Sequence, residues 1–104
     1  MKYDKLVRDR IPGIIEASGK TCRFCVLPEE AYLERLDEKL NEELAEYQES
    51  KSLEELADLL EVIRAVVAAR GFSMAQLEEL REQKAAERGG FQRRILLTEV
   101  ISDV

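Results

Sequence analysis

Residues 29–70 read EEAYLERLDEKLNEELAEYQESKSLEELADLLEVIRAVVAAR, and most of the architecture follows from this segment. Apolar residues recur in both halves at steps of three and four, which is the spacing of helices that bury one face. Residues 50–52 interrupt the pattern and leave room only for a tight turn. The sequence therefore predicts two consecutive helices, over about 29–49 and 53–70, that pack antiparallel as a hairpin.

Two further helices are predicted outside this hairpin. Pro12 suits the first turn of a short helix that runs to about Ser18. Ser73 followed by Gln76 is a capping signal, and it opens a helix that closes near Arg88, just before a pair of glycines. Together with the hairpin, these helices predict an antiparallel helix bundle.

Two short segments have the composition of strands instead. Residues 21–27 (TCRFCVL) and 92–100 (QRRILLTEV) are rich in β-branched, aromatic and aliphatic residues. We predict that they pair as a small two-stranded β-ribbon beside the helices. The fold class is thus mainly all-α, and the length of the chain suits a single domain over residues 1–104.

Composition narrows the range of partners and chemistry. The chain has 22 acidic and 16 basic residues and a net charge of −6, which disfavours nucleic acid as the main partner. No apolar run approaches the length of a membrane span, and residues 1–11 carry charges throughout, unlike a signal peptide. We therefore expect a cytoplasmic protein. Histidine is absent, which excludes a histidine base and histidine metal ligands.

Cys22 and Cys25 form a lone C-x-x-C pattern. A redox pair and half of a zinc site are the functional interpretations, but no second cysteine pair completes four zinc ligands within the chain. On a strand, residues three apart point to opposite faces. We interpret both residues as ordinary reduced cysteines.

Four carboxylates lie on helix faces where a solvated acid is not expected. In the first helix of the hairpin, Glu43 falls within the apolar stripe that includes Leu36, and Glu46 lies at the edge of that stripe. In the second helix, Glu55 and Asp58 fall outside the polar sector. Because the helices pack antiparallel, both pairs approach the same turn and face each other.

Such a convergence of carboxylates is costly without a cation, because the groups repel one another and resist desolvation. Oxygen ligands suit Mg²⁺ or Mn²⁺, so the pattern predicts a hard divalent cation at this position. Two alternatives stay open. Glu55 fits a capping box with Ser52, and Glu46 could pair with Lys39 or with a basic residue from elsewhere in the chain.

The acidic motif also has a counterpart in a known family. Residues 42–46 (EELAE) and 55–58 (ELAD) resemble the E-E-x-x-E … E-x-x-D signature of the MazG-like, all-α nucleoside triphosphate pyrophosphohydrolases. That superfamily includes phosphoribosyl-ATP pyrophosphohydrolase and house-cleaning enzymes. Residues 5–12 (KLVRDRIP) and 87–91 (ERGGF) resemble the ends of a short house-cleaning subgroup. The eight residues between the two halves are fewer than in many members.

The resemblance implies Mg²⁺-dependent cleavage of a nucleoside triphosphate, modified or damaged, between its α- and β-phosphates. The products are a nucleoside monophosphate and pyrophosphate, and metal-activated water is the nucleophile. The metal ligands it implies are Glu43, Glu46, Glu55 and Asp58. Neither the general base nor the number of metal ions is assigned.

Positive side chains are expected to complete a phosphate-binding site, since arginine matches phosphate with two hydrogen bonds. The candidates are Arg8, Arg10, Lys84 and Arg88. Surface pairing explains such charges equally well. Two other functions stay open, namely a non-catalytic helical interaction module and phosphoribosyl-ATP hydrolysis. The apolar face of the helix over 53–70 exceeds what one short neighbour covers, which favours a homodimer.

Overall fold

The computed structural model describes residues 4–102, and in this part of the chain it contains four helices. They are α1 (Ile11–Ala17), α2 (Glu29–Ser50), α3 (Leu53–Ala69) and α4 (Met74–Arg88). The predicted helices are confirmed, and the fold is all-α. The first three and last two residues of the predicted single domain lie outside the described part. Within residues 4–102, no helix combines the length and apolarity that crossing a membrane requires.

The hairpin of α2 and α3 is the main packing unit, and its turn is as tight as the sequence predicts. Lys51 reverses the chain with a left-handed backbone (φ 58°) and donates its N–H to the carbonyl of Tyr47 at 2.7 Å. Ser52 then caps α3 by accepting the N–H of Glu55. This turn places the C-terminal end of α2 beside the first turns of α3.

Helix α4 follows α3 through a second turn and packs against it. Gly71 takes a positive φ of 85°, which a side chain would strain, and so ends α3. Ser73 and Gln76 form the predicted capping box, because each side chain accepts the backbone N–H of the other residue. The N-terminus of α4 is therefore specified within four residues of sequence.

The apolar core of the single chain is thin. Among residues 4–102, the one buried apolar side chain is that of Leu36, which is 2% exposed. Leu44 shares the predicted stripe but is 43% exposed, because one neighbouring helix covers only part of that face. On α3, Leu53, Leu56 and Leu60 are 41% to 81% exposed. The radius of gyration is 19.0 Å, against about 13 Å for a compact chain of this length.

The predicted β-ribbon is wrong. Residues 21–27 and 92–100 contain no strand in the described part of the chain. An isolated two-stranded ribbon is marginal unless it packs on another layer, and these segments do not, as Val26 (89% exposed) and Leu96 (84%) show. Cys22 and Cys25, within the first segment, are both free thiols.

Candidate metal centre

The carboxylates singled out in the sequence form two overlapping groups that share Glu43. In the first group, one oxygen each from Glu42, Glu43 and Glu46 lie within 4.8 Å of one another. In the second group, one oxygen each from Glu43, Glu55 and Asp58 do the same. The end of α2 and the start of α3 thus place the other three predicted ligands around Glu43, with Glu46 in one group and Glu55 and Asp58 in the other.

Glu43 is the most buried member of this cluster, at 6% exposed. It follows Leu36 by seven residues, or two helical turns, so both lie on the covered face of α2. Its Oε1 lies 3.4 Å from Nζ of Lys39, whereas Oε2 is buried without a hydrogen-bond partner among the described residues. Burial raises the pKa of Glu43 above its ordinary value, and the neighbouring Glu46 raises it further. The ammonium group of Lys39 lowers the pKa of Glu43, but burial and the neighbouring carboxylate outweigh it.

Glu55, like Glu43, has a buried carboxylate oxygen without a hydrogen-bond partner among the described residues. Its backbone N–H is donated to Oγ of Ser52, but the N–H of Ser52 is donated to Oγ of Ser50 at 3.3 Å and not to the Glu55 carboxylate. The reciprocal half of a capping box is therefore missing at α3, unlike at α4. Oε2 of Glu55 is buried and has no partner within residues 4–102. The alternative in which this carboxylate turns back to cap α3 is not what the structure shows.

Two lysines neutralise the α2 side of the cluster. Nζ of Lys39 lies 3.4 Å from both Glu42 and Glu43, and Nζ of Lys5 lies 3.0 Å from Oε1 of Glu42. Burial alone would raise the pKa of Glu42, but the two ammonium groups outweigh it and hold that pKa below its ordinary value. Glu46 forms no ion pair in the described part of the chain, so the alternative pairing with Lys39 is also not observed.

On the α3 side, the cation is Arg8. Its Nη2 lies 2.6 Å from Oδ1 of Asp58, fifty residues away in sequence. The segment before α1 is held against the hairpin by this pair, by Lys5, and by Asp4, whose carboxylate lies 3.4 Å from Arg35 of α2. The N-terminal segment therefore spans both helices of the hairpin at the carboxylate cluster.

A cavity of about 880 Å³ adjoins the cluster and is lined in part by this N-terminal segment. That volume is within the range of small-molecule binding sites. Its apolar walls come from α1, α2, α3 and the segment before α1. They include Val7, Ile11, Ile14, Tyr32, Leu36, Val62 and Ala65. Its charged lining includes Arg8, Arg10, Lys39, Glu43 and Asp58.

The four basic candidates divide into two pairs. Arg8 and Arg10 line the cavity beside the carboxylates. Lys84 and Arg88 lie on the exposed end of α4 and are not among the residues that line it in this single chain. The end of α4 and the following loop, with Arg93 and Arg94, surround a smaller cavity of about 460 Å³ instead.

Lys5, Lys39 and Glu42 also belong to the site but are not among the residues predicted from the sequence. A signal for Lys39 was present, because it precedes Glu42 and Glu43 by three and four residues, the spacing of side-chain pairs on one helix face. Lys5 has no such signal, since 37 residues separate it from Glu42. Its contact depends on the path of the segment before α1.

Comparison with known proteins finds a partial match in sequence. No family model matches the chain, and no solved structure matches it. An uncharacterized protein of Mycolicibacterium smegmatis is 52% identical over 42 residues. The match covers 40% of this chain and 43% of that protein. The match therefore spans less than half of that relative's length.

Proposed function

We propose that this chain is a Mg²⁺-dependent nucleoside triphosphate pyrophosphohydrolase of the MazG-like type. One observation supports this above all others. Glu43 is more than nine-tenths buried, its Oε2 has no partner among the described residues, and carboxylate oxygens of Glu55 and Asp58 lie within 4.8 Å. Buried anions of this kind need a counter-cation.

The donor set of the cluster fits magnesium or manganese. All of its ligands are carboxylate oxygens, which hard divalent cations prefer, and soft ligands such as histidine and cysteine are absent from both carboxylate groups. Within residues 4–102, these five carboxylates face three cations, Lys5, Arg8 and Lys39, and so exceed them by two charges. Glu43, Glu46, Glu55 and Asp58 are the residues that would hold the metal. The chemistry that Mg²⁺ supplies when bound is neutralisation of the triphosphate and activation of water.

The remaining groups divide between the parts of a nucleotide. Arg8, Arg10 and Lys39 line the cavity next to the carboxylates, where they would bind phosphate oxygens. Without these cations and the metal, the acidic cluster would repel the phosphates. The apolar walls, with Tyr32 as the aromatic side chain, suit a base and sugar. The house-cleaning motif over residues 5–12 favours a modified or damaged base as the substrate.

The test of this proposal is the release of pyrophosphate from a panel of ordinary, deaminated and oxidised nucleoside triphosphates, with phosphoribosyl-ATP included. We expect Mg²⁺-dependent release of pyrophosphate and monophosphate from at least one panel member. Asp58→Asn should suppress it, whereas Glu54→Gln, exposed on the same helix, should not. Turnover of phosphoribosyl-ATP alone would support that alternative. No Mg²⁺-dependent release from any member would contradict the proposal and favour a non-catalytic interaction module.

We further propose that the working unit is a homodimer. The accessible surface of the chain is 9713 Å², whereas a compact protein of 11.9 kDa exposes about 5,900 Å². The excess of about 3,800 Å² is the scale of an obligate interface, and the one leucine buried within residues 4–102 is too small a core for a chain of this size. Leu53, Leu56 and Leu60 lie on one face of α3, which makes that face the expected contact.

Sedimentation velocity tests the dimer. We expect a species of about 24 kDa, twice the chain mass. Leu60→Glu should dissociate it and lower its melting temperature, whereas Glu61→Gln, the adjacent exposed position, should do neither. A folded monomer of the unmodified chain would overturn this part of the proposal.

A further inference from the structure

The carboxylate cluster already contains a cation at the position where a metal ion is proposed to bind. The guanidinium of Arg8 lies 2.6 Å from Oδ1 of Asp58, and a carboxylate oxygen of Asp58 also lies within 4.8 Å of oxygens from Glu43 and Glu55. Arg8 is therefore bonded to one carboxylate of the group in which Glu43 and Glu55 each hold an unpartnered buried oxygen.

Separating Arg8 from Asp58 requires little free energy. The side chains are 58% and 36% exposed, so water screens the pair and can replace it. The anchors of the N-terminal segment, from Asp4 to Arg35 and from Lys5 to Glu42, lie on α2 and do not involve Asp58. Release of Arg8 therefore leaves the segment attached and the guanidinium at the cavity that it lines.

We propose that Arg8 is a resident cation of the metal-free site, which a divalent cation displaces from Asp58. Once released, the guanidinium binds the phosphates of the incoming nucleotide in the adjoining cavity. This inference rests on the proposed function, because it assumes that the carboxylates bind metal and the cavity binds a nucleotide. Arg8 acts on metal binding as a competitor and on phosphate binding as a ligand.

Competition predicts an effect with an unusual sign. Removing a group that competes for a metal ligand strengthens metal binding, whereas removing a merely structural ion pair leaves it unchanged or weakens it. Exposed ion pairs of this kind correspond to a change of about two- to fivefold in a binding constant. Arg8→Ala should thus bind a divalent cation about two- to fivefold more tightly than the unmodified protein.

Arg10 provides the matched control. It lies two residues from Arg8, lines the same cavity and carries the same charge, but it forms no ion pair within residues 4–102. Arg10→Ala therefore reproduces the loss of one positive charge without breaking a contact to the cluster. Arg8→Lys keeps the charge, and it should bind metal with an affinity closer to that of the unmodified protein.

The experiment measures Mn²⁺ binding to the full chain by electron paramagnetic resonance, with circular dichroism melts to show that each variant is folded. We expect Arg8→Ala to bind Mn²⁺ about two- to fivefold more tightly than Arg10→Ala does. We also expect Arg8→Ala to bind the Mn²⁺ complex of pyrophosphate about tenfold more weakly than the unmodified chain does. Equal Mn²⁺ affinities of Arg8→Ala and Arg10→Ala would overturn the competition, and unchanged pyrophosphate affinity would overturn the phosphate role. If no protein binds Mn²⁺, the proposed function fails as well.

Discussion

The substitution Glu43→Gln separates a metal ligand from an ordinary ion-pair partner. Glutamine keeps the shape of the side chain and removes its charge. In the metal-free protein at pH 7, the ionised Glu43 is buried, lies beside Glu46, and has one oxygen without a partner. Neutralising it relieves this cost, so we expect Glu43→Gln to be more stable than the unmodified protein in the presence of a chelator.

The size of the effect follows from two opposing contributions. An unsatisfied buried polar group costs about 1–3 kcal/mol and a charged group costs more, so replacing the carboxylate by a neutral amide relieves the difference between the two. Against this, the substitution loses the attraction of Lys39 at 3.4 Å, although Lys39 keeps Glu42 as a partner at the same distance. Such ion pairs contribute up to about 1 kcal/mol. The net gain is therefore about 1 kcal/mol, which corresponds to a rise of about 4–8 °C in melting temperature for a chain of this length.

The pH dependence has a defined sign. Because folding raises the pKa of Glu43, the folded state holds this proton to higher pH than the unfolded state. The stability that Glu43 contributes is present below its ordinary pKa of 4.5 and is lost as pH rises through the raised value. The advantage of Glu43→Gln should accordingly be present at pH 7 and vanish near pH 4, where the unmodified carboxyl is also neutral.

The assay is a set of thermal melts with chelator and with Mg²⁺, at both pH values. Glu49→Gln, an exposed position on the same helix, is the control and should behave like the unmodified protein. With Mg²⁺, the unmodified protein and the control should gain stability, and Glu43→Gln should not. A loss of stability in Glu43→Gln at pH 7, together with a normal response to Mg²⁺, would refute the reasoning and assign Glu43 to its pair with Lys39.

Three further outcomes are expected. Mg²⁺ at a hundredfold excess over its dissociation constant should stabilise the protein by about 2.7 kcal/mol, measured by differential scanning fluorimetry, and an unchanged melting temperature would count against the metal site. Leu36→Ala should cost about 2–5 kcal/mol in urea unfolding because Leu36 is 2% exposed, and Leu44→Ala, at 43% exposed, should cost clearly less. Arg10→Ala should lower kcat/KM about tenfold or more, as loss of a charged phosphate contact does, and a larger loss in Arg88→Ala would mean that α4 of a second copy reaches the cavity.

The helices and their ends were predictable because their signals are local. The Ser73–Gln76 box acts within one turn, and the break at residues 50–52 is visible as an interruption of the apolar period. The approach of the carboxylates was also predictable. The sequence shows which helix face carries Glu43 and which carries Asp58, and a link of two residues makes the two helices pack antiparallel. By itself, therefore, the sequence determined the all-α hairpin and the place where its acids meet.

Other features depend on parts of the chain that no local pattern connects. The prediction of a β-ribbon was wrong because a strand-like composition at residues 21–27 does not by itself provide a neighbouring strand or a layer to pack on. The exposure of Leu44 depends on how much of α2 its neighbours cover. The unpartnered oxygen of Glu55 depends on Ser50 taking the N–H of Ser52.

The contact between Arg8 and Asp58 is the clearest case of a feature that only the tertiary structure decided. Fifty residues separate the two side chains, and Arg8 reaches α3 because the segment before α1 is anchored on α2 by Asp4 and Lys5. Charge alone made Arg8 a candidate for binding phosphate, but it did not indicate which carboxylate the guanidinium meets. Hydrophobic period and capping act over one or two turns of helix, whereas the position of a side chain across fifty residues depends on the path of the whole chain between them.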